Sequence, residues 1–349
     1  MPIYLKISVT AGLTMGTMMA LSFHNWFLAW MGMEISAISM IPLLTHQNQP
    51  RMLESAIKYF VAQAVGTGSL VGGILWCAHT SGGWSTFSFH PAPLALITLA
   101  LSLKLGMVPL HTWFVEVMQG ASLYTMMVLA TVPKIAPLAL MARVDCKVHL
   151  MVILGLFSIL FAGLAALNQT QLRKIMAYSS ISHMGWVMVI MWPAPQIAMM
   201  TLTWYIIITL AVLMMCANLP AKTTVAIGMT TIKFPNYMLP LVLTLISLAG
   251  LPPMSGFIGK FTIFFYMLEF EHLALLIPLI IGSLLSLFFY VRLMFSAAAT
   301  TSPSNLLSNA AWDPIEPPHK PLPVIYVLAC FSLPLTPLSI AIITYLMSR

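Results

Sequence analysis

Glu34, Lys104, Lys134 and Lys260 each lie inside a long run of mostly apolar residues. An ionisable group in such a run is expensive and usually marks an ion or proton path. A lysine near the end of a span can instead snorkel to the headgroups. Lys104 is about ten residues from the nearer end of its run, or ~15 Å along a helix, beyond the reach of its side chain. Lys134 is ~13 Å from its nearer end by the same rise, so snorkelling there would be strained. A buried ammonium is disfavoured by lost hydration and favoured by a neighbouring carboxylate. Moving that carboxylate switches the amine between charged and neutral. Glu34 is the acidic residue deep in the first part of the chain, and so the natural partner of Lys104. The pair, followed by Lys134 and Lys260, would form a row of sites along which a proton is passed.

Helix-weakening residues accompany these charges. Gly106 and Pro109 follow Lys104, Pro133 immediately precedes Lys134, and Gly250-Leu-Pro252-Pro253-Met-Ser-Gly256 precedes Lys260. Freed carbonyls and looser packing at such points admit water. His111 is seven residues beyond Lys104, and His183 follows Ser179 by four positions on one helical face. Either histidine could relay protons near neutral pH; a histidine hydrogen-bonded between helices is an equal reading. Glu116, near the end of its run, reads as a boundary charge.

The elements that must hold these residues are membrane helices. The chain has 349 residues, 60% hydrophobic and 7% charged, against about 25% charged in soluble domains. So few charges cannot cover a soluble core of this size. The first apolar run, 3–23, has the length of a full span rather than of a signal h-region. The net charge of +7 comes from scattered residues without aromatic interleaving, which excludes a nucleic-acid surface. Cys77, Cys146, Cys216 and Cys330 are isolated, so no metal or iron–sulfur motif is present. Gly256-Phe-Ile-Gly259-Lys260-Phe261 has the wrong spacing for a phosphate loop, and no Gly-x-Gly-x-x-Gly follows a strand. No cofactor or metal site is therefore expected in this chain.

The predicted fold is an all-α polytopic membrane protein forming a single domain over 1–349. Apolar runs at 3–23, 26–45, 55–78, 93–118, 122–143, 148–168, 173–192, 197–217, 237–267, 273–296 and 323–347 predict eleven spans. The Pro/Ser/Asn-rich stretch 297–322 reads as a linker or lateral segment. Pseudo-repeats of five spans, about 1–145 and 148–296, each place an interrupted segment and a lysine fourth in order. An odd number of spans turns the second copy upside down, as in inverted-repeat transporters. Lys6, Arg51, Lys58, Arg173, Lys174, Lys222, Lys233, Arg292 and Lys320 fall toward the N-terminal side; Arg143, Lys147 and Arg349 fall on the other. That bias puts the N-terminus on the negative, inner side.

Leu103-Lys104-Leu-Gly106-Met-Val-Pro109-Leu-His111-Thr-Trp113 resembles a signature of the antiporter-like membrane subunits of respiratory complex I. Gly250-Leu-Pro252-Pro253-Met-Ser-Gly256-Phe-Ile-Gly-Lys260 is similar to their second signature. Trp30-Met-Gly-Met-Glu34 and the stretch Leu167 to His183-Met-Gly match as well, so the resemblance covers almost the whole chain. It implies a proton-pumping module in which the family's carboxylate falls on Glu34, its first broken-helix lysine on Lys104, its central lysine on Lys134 and its second broken-helix residue on Lys260. It also implies that NADH, flavin (FMN), iron–sulfur clusters and ubiquinone belong to other subunits. The implied partners are other membrane-arm subunits and the lipid bilayer, with cardiolipin a candidate lipid. The implied location is the mitochondrial inner membrane, N-terminus in the matrix and C-terminus in the intermembrane space. Bacterial members typically have fourteen helices, and animal forms resemble this chain in lacking the first three. The 28 methionines also resemble the composition of chains encoded in animal mitochondria. Two other readings stand beside this one, a stand-alone cation/proton antiporter and a structural scaffold; the lysine row argues against the scaffold.

Overall fold

The computed structural model describes residues 3–46, 49–81, 91–144, 149–219, 223–224, 226–228, 237–252, 254–270 and 273–298. The expected eleventh span at 323–347 and the 297–322 linker beyond Ala298 lie outside the described residues. So do Cys146, Lys147, Lys222, Lys233, Pro253, Lys320, Cys330 and Arg349.

Within the described residues the elements are α1 (Ile3–Ser22), α2 (Trp26–Leu44), α3 (Pro50–Ser81), α4 (Pro91–Leu105), α5 (Thr112–Gly120), α6 (Leu123–Arg143), α7 (His149–Leu167), α8 (Leu172–Met191), α9 (Pro195–Asn218), α10 (Met238–Ala249), α11 (Ser255–Glu269) and α12 (Leu273–Ala298). No strand occurs among them beyond an isolated bridge between Gln171 and Thr223. Six of these helices, α2, α3, α6, α7, α9 and α12, are long and apolar enough to cross a membrane. The molecule is an all-helical polytopic membrane protein, the one arrangement besides a closed barrel in which backbone polar groups are satisfied within lipid.

The boundaries refine the sequence reading. The run 55–78 extends to Pro50–Ser81. The runs 93–118 and 237–267 each become two helices, α4–α5 and α10–α11. A break was also expected beside Lys134, but α6 continues through Pro133 and Pro137. Each proline there removes one N–H without stopping the helix, as packed membrane helices tolerate.

The chain divides into two compact units. One comprises Met1–Ala162 with Ser180–Met199, the other Gly163–Ser179 with Met200–Arg349. In the first, α1 packs extensively on α2, α3 lies against α2, α4 and α5, and α6 touches α1, α2 and α4. The α1–α2 crossing brings backbones together. A methyl on Gly16 would lie 2.6 Å from the Gly32 carbonyl oxygen, and one on Gly32 would lie 2.7 Å from that of Gly16. Small residues permit this approach in membrane bundles. Helices α7 and α8 cross in the same reciprocal way at Gly155 and Gly185. In the second unit α10 packs on α11 and α12, and α11 on α12.

An arginine closes the carbonyl end of one helix in each unit. Arg143, in the last turn of α6, donates to the Phe23 carbonyl at 2.7 Å and to that of Leu21, just past and within the end of α1. Arg292 of α12 donates to the carbonyls of Leu167 and Gln169 at the end of α7, the latter at 2.5 Å. Cations suit a helix C-terminus, where unpaired carbonyls carry partial negative charge.

Candidate functional site at the broken helices

Both helix breaks are built on one device. Gly106 has φ 73° and Gly250 φ 77°, left-handed values that cost other residues strain. The Gly106 N–H donates to the Leu103 carbonyl and the Met107 N–H to that of Ser102, both at 3.0 Å. The Gly250 N–H likewise donates to Ser247 at 3.0 Å, and Leu251 to Ile246 at 3.3 Å. This paired pattern is the Schellman cap, which satisfies the orphan carbonyls of a helix end. Each buried lysine of the broken segments then sits at such an end, where the helix dipole favours a cation.

In the first unit, Lys104 occupies the last turn of α4, and its Nζ lies 3.2 Å from Glu34 Oε1 on α2. The lysine side chain is 3% exposed and the carboxylate 28%. The predicted pairing is therefore present, with the amine inside and the acid toward the outside of the unit. Gly66 of α3 leaves the lane in which the lysine lies; a methyl there would be 3.0 Å from Lys104 Cγ. The break is pinned from both sides. The Trp113 indole donates to the Leu103 carbonyl at 3.1 Å, and the Val108 N–H donates to Ser158 Oγ of α7 at 3.1 Å. Ser158 in turn donates to Leu154 O at 2.6 Å.

Lys134 is buried in α6, and its Nζ stands 4.9 Å from the centroid of the Phe114 ring on α5. This is within range of a cation–π contact. His111 heads α5, buried, with Nδ1 3.3 Å from the Pro109 carbonyl oxygen and its ring edge-on to Phe161 at 4.8 Å. His183 is half-buried on α8. Ser179, expected on its face, donates to the Met176 carbonyl of its own helix at 2.8 Å. Glu116, in the middle of α5, is half-exposed and 2.7 Å from Lys58, which also meets Glu54 at 2.5 Å.

In the second unit, Lys260 lies across the Gly250 turn. Its Nζ donates to the Ala249 carbonyl, the last of α10, at 3.0 Å and to Ser286 Oγ of α12 at 3.2 Å. A methyl on Gly250 would come within 3.0 Å of Lys260 Cδ. Lys104 precedes its break, whereas Lys260 follows its own and reaches back to it.

Sequence reasoning missed the supporting residues. Phe114, Trp113, Gly66, Ser158 and Ser286 hold the lysines or the breaks, and only Trp113 stood inside a recognised motif. Ser158 carried a weak signal, a lone hydroxyl in an apolar stretch; Ser286 shares its run with Ser283 and Ser296 and carried none. Among the described residues, no group of three or more His, Cys, Asp or Glu could hold a metal ion. The arrangement can carry out proton transfer: an acid and an amine in contact, and further amines held by groups that respond to their charge.

Comparison with known proteins agrees. Residues 24–286 match the family described as NADH:quinone oxidoreductase/Mrp antiporter, TM, and residues 287–340 match NADH dehydrogenase subunit 2 C-terminus. NADH-ubiquinone oxidoreductase chain 2 of Dugong dugon is 39% identical over 340 residues, covering 96% of this chain and 98% of that one. In fold, the chain is similar to one in the structure of respiratory complex I from Thermus thermophilus with bound aureothin. That likeness has TM-score 0.81 at 22% identity, over 93% of this chain and 76% of that one. It is also similar to a chain of the Mrp complex from Dietzia sp. DQ12-45-1b, with TM-score 0.75 at 16% identity, over 99% of this chain and 74% of that one. The near-complete overlap with chain 2, and the match to its particular C-terminus, assign the molecule: it belongs to the NADH-ubiquinone oxidoreductase chain 2 family.

Proposed function

We infer that this chain is the proton-translocating, antiporter-like membrane subunit of an NADH:ubiquinone oxidoreductase, complex I, in the inner membrane, and that it passes charge along Glu34, Lys104, Lys134 and Lys260. The observation that carries the reading is the Lys104–Glu34 contact of 3.2 Å at the end of a broken helix. A buried amine whose charge depends on one movable carboxylate is a unit of charge transfer. Lys134 on an aromatic face and Lys260 on a helix end supply further sites that favour a cation. His111 and His183 are candidate relays; the burial of His111 directly after the break supports its placement near the path. The chain works as part of an oxidoreductase and translocase whose other membrane-arm subunits are its partners. NADH, FMN, iron–sulfur clusters and ubiquinone belong to the parent complex, and we assign none of them to this chain.

The eleven-span, inverted-repeat arrangement belongs to the same proposal. With each broken pair counted once, the described helices make ten segments; the eleventh rests on the apolar sequence run 323–347, outside the described residues. Three features recur at matching places in the two sets of five. They are the reciprocal glycines between first and second helices, the Schellman break in the fourth segment, and the arginine from the fifth segment to the carbonyl end of the first. The charge bias along the loops supports an N-terminus in the matrix and a C-terminus in the intermembrane space. The likeness to an Mrp chain suits a stand-alone antiporter equally well, but the chain 2 C-terminal match favours the complex I subunit.

Replacement Lys104→Met in the assembled complex tests the role. Assembly should persist while coupled ubiquinone reduction falls by about a hundredfold or more, the scale of losing an essential proton-transfer group. Normal coupled turnover would remove Lys104 from the path. Co-migration with NADH-oxidising activity in native gels separates the subunit from the stand-alone transporter.

A further inference from the structure

We propose that Phe114 is the positioning residue that conveys the state of the Glu34–Lys104 pair to Lys134. The proposal rests on the reading of Lys134 as a station in proton transfer. Phe114 is 2% exposed and Lys134 3%, so their contact at 4.9 Å is shielded from bulk solvent. The face of a phenyl ring carries the negative part of its quadrupole and attracts an ammonium but not a neutral amine. The position of this ring therefore bears directly on whether Lys134 is charged.

That position is set by the break. Phe114 packs against the Gly106 turn so closely that a methyl on Gly106 would lie 2.8 Å from Phe114 Cβ and 3.1 Å from its Cγ. Its neighbour Trp113 holds the Leu103 carbonyl, one residue from Lys104, through the 3.1 Å indole bond. The Trp113 and Phe114 rings meet edge-on, with centroids 5.7 Å apart and planes at 84°. The end of α4 and the start of α5 thus move as one piece. When Lys104 leaves or regains Glu34, the piece shifts and the ring shifts under Lys134. A packed junction of this kind has discrete arrangements rather than a continuous range, which suits a step that must not leak.

The test uses the intact complex in sealed membrane vesicles, with protons translocated per NADH oxidised read beside turnover. Phe114→Leu and Phe114→Met fill much of the site without a ring face. Each should lower coupled proton translocation by up to about thirtyfold, the scale of a desolvated cation–π contact. Phe114→Tyr keeps the ring and should retain most of the wild-type value. Adding Phe114→Leu to Lys134→Met should cost nothing beyond Lys134→Met alone. Equal proton yields from the Leu, Met and Tyr variants in assembled complexes would reduce Phe114 to a volume filler and overturn the proposal. A large loss in Lys134→Met beside normal pumping in Phe114→Leu would overturn Phe114 while leaving the Lys134 station standing. Normal pumping in Lys134→Met would remove that station, and this proposal with it. Phe114→Met, flexible enough to adapt to the cavity, carries the test where Phe114→Leu does not assemble.

Discussion

The acid and the amine of the first unit are unequal in their access to the surroundings. Glu34 keeps 28% exposure while Lys104 keeps 3%, so the carboxylate lies nearer the surface of the unit and the amine inside it. Protonating Glu34 removes the charge that compensates the buried ammonium. Leaving that ammonium charged would cost about 3–5 kcal/mol, typical of breaking a buried pair; releasing its proton is the cheaper response. Glu34→Gln should accordingly slow turnover, and Glu34→Gln with Lys104→Met should cost much less than the two single losses combined, since each breaks the same link. Strictly additive losses in a double-mutant cycle on coupled NADH oxidation would show that the residues act apart. Ser286 offers a second residue-scale measurement. It accepts from Lys260 at 3.2 Å, and hydrogen bonds to charged groups contribute about 1.5–3 kcal/mol. Ser286→Ala should lower the thermal stability of the assembled subunit by an amount in that range, and Ser286→Thr should recover part of it; identical melting of wild type and Ser286→Ala would discount the bond. Residue types alone made Glu34 and Lys104 legible, because an acid and an amine in apolar runs have few alternatives to each other. The holders of Lys134 and Lys260 were not legible. A phenyl ring, a carbonyl and a serine hydroxyl announce nothing by type, and only the folded chain brings Phe114, Ala249 and Ser286 to those amines.

The helix breaks behave as designed ends rather than as defects. Gly106 and Gly250 adopt left-handed φ, which costs an alanine roughly 1–2 kcal/mol. Crowding adds to this: Gly106→Ala drives a methyl into Phe114, and Gly250→Ala drives one toward Lys260. Both variants should reduce the yield of assembled complex, and in complexes that do assemble Gly250→Ala should disturb coupled turnover by displacing Lys260. Wild-type yield and turnover from Gly250→Ala would mean that the turn tolerates a side chain and is not strained. Gly-Leu-Pro-Pro and the Gly106/Pro109 spacing revealed these breaks in advance, because glycine and proline act on their own backbone. Pro133 gave the opposite result. Its local signal resembled Pro109, yet α6 runs on, since packing around an interior proline can hold a helix together and a sequence window does not contain that packing.

At the scale of the molecule, Arg143 of α6 reaches the carbonyl end of α1 and Arg292 of α12 that of α7. Arg143→Ala and Arg292→Ala should each destabilise the subunit by about 1.5–3 kcal/mol, as lost charged hydrogen bonds do. With no partner in common, the two effects should add to within a few tenths of a kcal/mol, readable as shifts in the melting of the solubilised complex. A double variant no worse than either single one would show that the two contacts serve a single function. Orientation is tested separately. His24 follows α1 directly, and an N-terminus in the matrix puts that turn in the intermembrane space. A His24→Cys variant should react with an impermeant thiol reagent from that side alone; labelling from the matrix alone would invert the topology. In the sequence the arginines stand out only as loop charges that set orientation. Their second use, as caps on distant helix ends, depends on contacts across 120 or more positions of chain.

The Ala249 carbonyl that receives Lys260 has one further consequence. Peptide dipoles take up no proton in the physiological range and are never discharged, so the attraction they exert on Lys260 is permanent. Glu34 can be neutralised by a single proton. Of the two broken-helix lysines, Lys104 therefore has an erasable counter-charge and Lys260 an indelible partner. Exchanging Glu34 and Lys104 would keep their mutual attraction, but an acid at 104 would also meet the carbonyl end of α4. At position 260 an exchange does not arise, because the Ala249 carbonyl is backbone and no substitution of side chains reverses its dipole.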